Sequence, residues 1–178
     1  MSDLLVPQED PTLHTKAREV PKNMFGSEEL NTIISTMREG LHSYHVEGFV
    51  GVAIAAPQVG ISYRIFLVDD LSPHREGEEK LPSIVAINPK IIKRSREKNV
   101  VGEGCLSVPH HYGAVERAQN VTLEAYDEQG KKFTRGAGGF LAQVFQHECD
   151  HLEGTLFIDV AKKYWHKDEM NDRRNPSL

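Results

Sequence analysis

The segment His147-Glu148-Cys149-Asp150-His151 sets two imidazoles four residues apart, with a carboxylate beside the first. On a helix, residues at that spacing differ by about 40° around the axis and about 6 Å along it. Both imidazoles can then reach one divalent metal ion. Glu148, next to the first ligand, can handle the proton of a metal-bound water. That apparatus hydrolyses carbonyl compounds. Upstream, Gly102 and Gly104 lead into a cysteine in Glu103-Gly104-Cys105-Leu106-Ser107. Glycines there suggest close backbone approach or unusual dihedrals.

A catalytic site of this kind needs three protein ligands and one open position. The pattern H-E-x-x-H-x-x-G-x-x-H would require a histidine at position 157, where the chain has Phe157. A glutamate about 20 residues beyond the second histidine leaves Glu169, in a charged and solvated stretch. Cys105 is the stronger candidate, although a buried cysteine can also be only a small hydrophobe. His14, His42, His45, His74 and His166 read as surface or satisfied core residues, and His110 and His111 as loop residues.

The elements that must position these groups are legible in part. Leu141, Val144, Phe145 and Leu152 give the motif segment, Gly138 to Leu152, a buried helical face, and Gly154 is placed to end it in a left-handed cap. Buried imidazoles and a carboxylate need partners, which a metal supplies. Asp10-Pro11 opens a short helix. Ser27 caps a longer one whose apolar stripe is Leu30, Ile33, Ile34, Met37, Leu41 and Tyr44, with Glu28 and Glu29 at its positive end. Ile65-Phe66-Leu67-Val68 reads as a buried strand and residues 70–82 as a solvated loop. Ile84 to Ile87 and Ile91-Ile92 read as strands separated by a turn at Asn88-Pro89. Val121, Leu123 and Ala125 alternate with polar residues, and Asp127-Glu128-Gln129-Gly130 makes a hairpin into Lys132-Phe133-Thr134. Residues 160–178 read as a charged C-terminal helix or tail. The expectation is a single α+β domain over residues 1–178, with mixed or antiparallel strands around a buried central helix carrying the H-E-x-x-H motif.

The bulk properties suit a small soluble enzyme. The 178 residues carry 26% charged and 39% hydrophobic side chains and a formal net charge of −5. That balance gives no global pull toward nucleic acid or acidic membranes. Two cysteines are too few for a disulfide framework, and a thiolate ligand implies a reducing compartment. No secretory signal and no apolar run of the roughly 20 residues that cross a bilayer is visible, so the expected location is the cytoplasm.

Three segments in order, Gly51-Val52-Ala53-Ile54-Ala55-Ala56-Pro57-Gln58, Glu103 to Ser107, and Gln146 to Leu152, resemble the signature motifs of the peptide deformylases. Asp10-Pro11-x-Leu13 resembles their amino-terminal pattern, and the likeness spans about residues 5 to 160. The resemblance implies removal of the formyl group from the formylmethionine of new polypeptides. It implies Cys105, His147 and His151 as ligands of one divalent metal, Fe2+ natively, with Zn2+, Ni2+ or Co2+ as substitutes. It implies Glu148 as general acid and base, and the Leu106 N–H and Gln58 amide as oxyanion donors. Gly51, Val52, Ala53, Val101, Glu103, Phe140 and Val144 would bind substrate, and Arg117 would pair with Glu103 behind the cysteine loop. The implied partners are formylmethionyl nascent peptides. The charged tail is a candidate ribosome contact.

The chain departs from the family pattern at three places. Ala53 stands where a second glycine is usual, which bears on substrate placement if that position needs positive φ or if the substrate backbone lies tightly against it. Pro109-His110-His111-Tyr112 falls in a variable stretch, and Gln143 stands where arginine is common. Two other readings compete: a metalloprotease using His147, Glu148, His151 and Glu169, and a catalytically silent relative that binds only metal or formyl-peptide.

Overall fold

The computed structural model describes residues 4–44, 46, 50–70 and 80–170. Helix α1, Glu28–His42, begins where the Ser27 hydroxyl accepts a hydrogen bond from the Leu30 N–H, with Glu28 and Glu29 in its first turn. Leu30, Ile34, Met37 and Leu41 are its buried face. Asp10 caps the expected first helix through the Thr12 N–H, but Pro11–His14 is a single 3-10 turn.

A five-stranded antiparallel sheet receives α1. Its strands are β1 (Ala53–Ala55), β2 (Ile65–Val68), β3 (Ile84–Arg94), β6 (Asn120–Tyr126) and β7 (Lys132–Gly138), in the order β1-β2-β3-β6-β7. β2 is apolar at every position because both faces of the sheet are covered there. Ile65 and Leu67 pack with α1, while Phe66 and Val68 pack on the opposite face. The β6–β7 hairpin turns at Asp127, whose carboxylate accepts from the N–H groups of Gln129 and Lys131, and at Gly130, with φ 80°.

Helix α2, Gly139–Leu152, covers that opposite face and carries the H-E-x-x-H motif. Its Phe145 ring lies 5.8 Å from that of Phe66. Gln146 pins α2 to the second sheet, accepting from the Ala118 N–H and donating to the Ala118 carbonyl. At the far end, the buried Arg64 guanidinium donates to the Leu152 carbonyl and pairs with Glu153. Gly154 follows with φ 75°, the expected left-handed cap. A Cβ there would lie 2.8 Å from the backbone of His14 and Thr15.

The second sheet is antiparallel, with β4 (Lys98–Cys105), β5 (Val108–Ala118) and β8 (Lys163–His166) in the order β4-β5-β8. It brings Cys105 and Glu103 toward α2.

Three local expectations are corrected. Asn88-Pro89 is not a turn between strands: β3 runs through it, with Asn88 at φ 49° and a register shift against β6. The Asn88 side chain bonds both the N–H and the carbonyl of Val20, which holds this kink inside one continuous strand. Residues 160–170 are not one charged helix. They form the end of a four-residue helix α3 (Phe157–Val160), then β8, then a four-residue helix α4 (Lys167–Met170). His110 and His111 are not in a connecting loop but in β5, where Cys105 pairs Val108 and Gly104 pairs Tyr112, so residues 109–111 bulge. His45, His74, most of the 70–82 loop and the tail beyond residue 170 lie outside the described residues.

Candidate metal centre

Cys105 ends β4, and His147 and His151 sit one turn apart on the inward face of α2. Among the described residues, these three form the group of metal-type donors whose ligand atoms all lie within 4.8 Å of one another. Cys105 Sγ is 3.2 Å from His151 Nε2, and the two imidazole rings meet at 80° with centroids 5.0 Å apart. Burial disfavours the Cys105 thiolate. The His151 charge and hydrogen bonds from both histidines outweigh it and bring the thiol to about 5.

The donors are themselves held. Glu103 Oε2 lies 2.9 Å from His147 Nδ1, so His147 is free to present Nε2. The same carboxylate accepts a fork from Arg117, Nε to Oε1 at 2.7 Å and Nη2 to Oε2 at 2.9 Å. Burial would raise the Glu103 pKa, but the bonds from Arg117 and His147 hold it down at about 2. Arg117 reaches Asp150 with its remaining arm, tying the cysteine strand to the motif helix. This is the expected Glu103–Arg117 pair, and it is buried rather than on the surface.

A bound cation fits this donor set. Beside the three converging ligand atoms, Glu148 Oε2 is buried without a hydrogen-bond partner, the sign of a centre built around something further. Burial pushes Glu148 up to about 7. Gln58 is oriented by its own backbone neighbour: Oε1 accepts from the Ala55 N–H at 2.8 Å. That turns Nε2 toward Cys105 Sγ at 3.5 Å and Ser107 Oγ at 3.1 Å.

A cleft of about 390 Å³ opens on these groups. Gly51, Val52, Ala53, Glu103, Leu106, Phe140 and Val144 line it beside Gln58, Cys105, His147 and Glu148. Val101 does not; it lines a neighbouring depression with Asn99, Gln119 and Phe140. Gly51 is small of necessity, since a Cβ would come within 2.9 Å of Leu41 and 3.0 Å of Leu106. Ala53 has no positive φ, and its methyl packs into the core below α2. The glycine usual there is therefore not needed for backbone freedom. Only Ala53 of the Gly51–Ala53 segment lies in β1, an edge strand. The Val52 carbonyl accepts from the Asp69 N–H, on the β2 side. Strand alternation therefore turns the N–H and carbonyl of Ala53 to the open edge. Gln143 donates to the Gly102 carbonyl at 2.8 Å. At Gly102 itself a Cβ would meet nothing within 4 Å, so the glycine leaves the cleft floor bare.

Two cleft residues escaped the sequence reading. Val50 precedes the first motif, and Trp165 enters from β8, opposite Tyr112 of β5, which also lines the cleft. The adjacent aromatics Tyr164-Trp165 were the strand signal inside the stretch read as helix. Glu169, the rival ligand, is exposed in α4 and outside the donor group; its carboxylate accepts from the His166 N–H.

Comparison with known proteins places this geometry. The family model described as polypeptide deformylase matches residues 3–166. Peptide deformylase of Desulforudis audaxviator is 40% identical over 166 residues, 93% of this chain and 97% of that protein. The chloroplastic/mitochondrial peptide deformylase 1A of Arabidopsis thaliana is 39% identical over 87% of this chain; the match spans 60% of its greater length. Among solved structures, the Met-Ala-Ser-bound class I type b peptide deformylase of Acinetobacter baumannii superposes with a TM-score of 0.77 at 34% identity, covering 87% of this chain and 96% of that one. The enzyme of Thermotoga maritima superposes with a TM-score of 0.75 at 34% identity, covering 89% and 97%.

Proposed function

The chain belongs to the polypeptide deformylase family, metal-dependent hydrolases that remove the N-formyl group, and from that premise we propose how its residues divide the work. The observation that carries the assignment is the Cys105–His147–His151 donor group at the floor of a cleft, beside a Glu148 carboxylate oxygen with no partner.

Cys105, His147 and His151 hold the ion. When bound, it polarises the formyl oxygen and makes water acidic enough to attack at neutral pH. Fe2+ is our reading of the native ion, as the family resemblance implies; a donor set with a thiolate suits Zn2+, Ni2+ or Co2+ as well. Glu148 takes a proton from the attacking water and returns it to the leaving amine; its elevated pKa suits both roles. The Gln58 Nε2, aimed by Ala55, and the Leu106 N–H at the β4–β5 turn donate to the developing oxyanion. Glu103 and Arg117 hold His147 in the tautomer that presents Nε2.

The substrate's backbone pairs with the bare edge of Gly51 to Ala53, and its methionine side chain enters the apolar part of the cleft at Phe140 and Val144. Substrates are formylmethionyl nascent peptides, met in the cytoplasm. Among the described residues, no helix is long and apolar enough to cross a membrane. A ribosome contact by the tail rests on nascent chains being the substrates, and net charge does not support it; deleting residues 171–178, which leaves β8 and α4 in place, and finding ribosome association unchanged would remove it.

The test is formate release from formyl-Met-Ala-Ser by anaerobically purified protein reconstituted with Fe2+, beside Glu148→Ala. Release that the variant abolishes supports the assignment. No release despite one tightly bound ion would overturn it in favour of a silent relative. Cys105→Ala separates the protease reading: metal binding is lost if Cys105 is a ligand and retained if Glu169 is.

A further inference from the structure

A second pair of histidines repeats the ring geometry of the first. His111 of β5 stands directly opposite His166 of β8. Their ring centroids are 5.2 Å apart with the planes at 76°, against 5.0 Å and 80° for His147 and His151. Two imidazoles that share one ion at about 2.0–2.1 Å place their centroids roughly 5 Å apart.

The other ring nitrogens are already committed. His111 Nδ1 meets the Pro109 carbonyl at 3.0 Å, so it carries the proton and leaves Nε2 a lone pair. At His166 Nδ1 the hydrogen bond comes from the Asp168 N–H at 3.4 Å, with the Asp168 carboxylate 3.2 Å away; an ion on Nε2 requires the ring proton to move to Nδ1, where that carboxylate can accept it. An imidazole backed by a carboxylate or a carbonyl is the usual support of a metal ligand. Both rings are partly exposed, so an ion can reach them from solution. His110 stands beside the pair, its ring 6.0 Å from that of His166 and its Nδ1 buried without a partner.

We propose that His111 and His166 form a second site, for a divalent transition-metal ion of the Zn2+, Ni2+ or Cu2+ class, which clips β8 to β5. Two imidazoles select that class over Mg2+ or Ca2+, and water completes the coordination. The residues next in each strand, Tyr112 and Trp165, face the other way and line the cleft. β8 is paired to β5 at four positions only. An ion on the outer face therefore steadies the aromatic wall on the inner one. The clip stands on this ladder alone; only its effect on peptide affinity rests on the deformylase reading.

The experiment starts from protein loaded with one equivalent of Ni2+ that survives gel filtration. Further Ni2+ is then titrated by calorimetry and by the fluorescence of Trp165, the one tryptophan in the sequence. A second equivalent is expected to bind with micromolar affinity and quench Trp165. His111→Ala and His166→Ala should each weaken that equivalent by at least about tenfold, while the first equivalent and the kcat of formate release stay as in the wild type. The proposal is overturned if no second equivalent binds. It is equally overturned if both variants bind it like the wild type, which would place it on other histidines. Metal counting needs no activity, so a failure of the deformylase assignment would be seen separately.

Discussion

Glu103 Oε2 and His147 Nδ1 are 2.9 Å apart, and the carboxylate that makes this contact is gripped on its other side by the Arg117 fork. One carboxylate thus sets a ligand's tautomer while an arginine fixes the carboxylate. Glu103→Gln keeps the shape but cannot accept both contacts as an anion. It should weaken metal binding by about 10–100-fold, the usual effect of losing such a support. Competition with a chelator measures it, and an unchanged affinity would assign Glu103 to substrate contact alone.

The same pair should shape acid stability. The folded-state pKa of Glu103, about 2, is below the ordinary 4.5. A depressed carboxylate stabilises the fold above its unfolded pKa and loses that contribution as pH falls toward the folded one. The loss should therefore run from about pH 4.5 down to about 2 and amount to roughly 3 kcal/mol at most. Denaturant titrations of wild type and Glu103→Gln across that range should converge at the acid end.

Metal removal should expose a difference between the two cysteines. Without the ion, Cys105, near 5, is a thiolate at neutral pH and opens on the cleft. Burial pushes Cys149 up to about 12. Chelated protein should therefore be alkylated by iodoacetamide at Cys105 alone, and reloading the ion should protect it. Mass spectrometry of the peptides decides the site.

Gln58→Ala removes a donor aimed past Cys105 without removing a metal ligand. It should lower kcat by about 10²–10³-fold and leave the metal content at one equivalent. A change confined to KM would make Gln58 a substrate anchor instead.

Gly154→Ala should destabilise the fold from a distance. The position has φ 75°, and the new methyl would lie 2.8 Å from the His14–Thr15 backbone. Strain of this kind costs about 1–3 kcal/mol, and the clash adds to it. The thermal midpoint should fall while metal stoichiometry persists at low temperature.

The donor group and its helix were legible because helical spacing and a caged cysteine are local patterns. α1 was legible for the same reason, down to its Ser27 cap. What escaped depended on partners distant in sequence. Asn88-Pro89 carries every local sign of a turn, yet Val20, 68 residues away, captures the Asn88 side chain and keeps β3 whole. Lys163–His166 has the charge of a tail, but β5 offers it a strand edge and the cleft offers Trp165 a wall. Val101 sits on β4, two residues before the cysteine motif, but lines the neighbouring depression rather than the cleft. Ala53 needs no glycine freedom because it sits in an extended strand, which its residue type alone does not reveal.

β1 is three residues long and recessed beside the cleft. Sheet edges invite any extended chain, and proteins usually blunt them with charge, proline or cover. This one is guarded by dimension instead. A folded neighbour cannot bring its own sheet against so short a rim, whereas the loose end of a polypeptide can thread in. On the proposed reading the rim takes the amide groups of the peptide rather than its side chains, so a single enzyme of this build would serve chains that differ after their first residue.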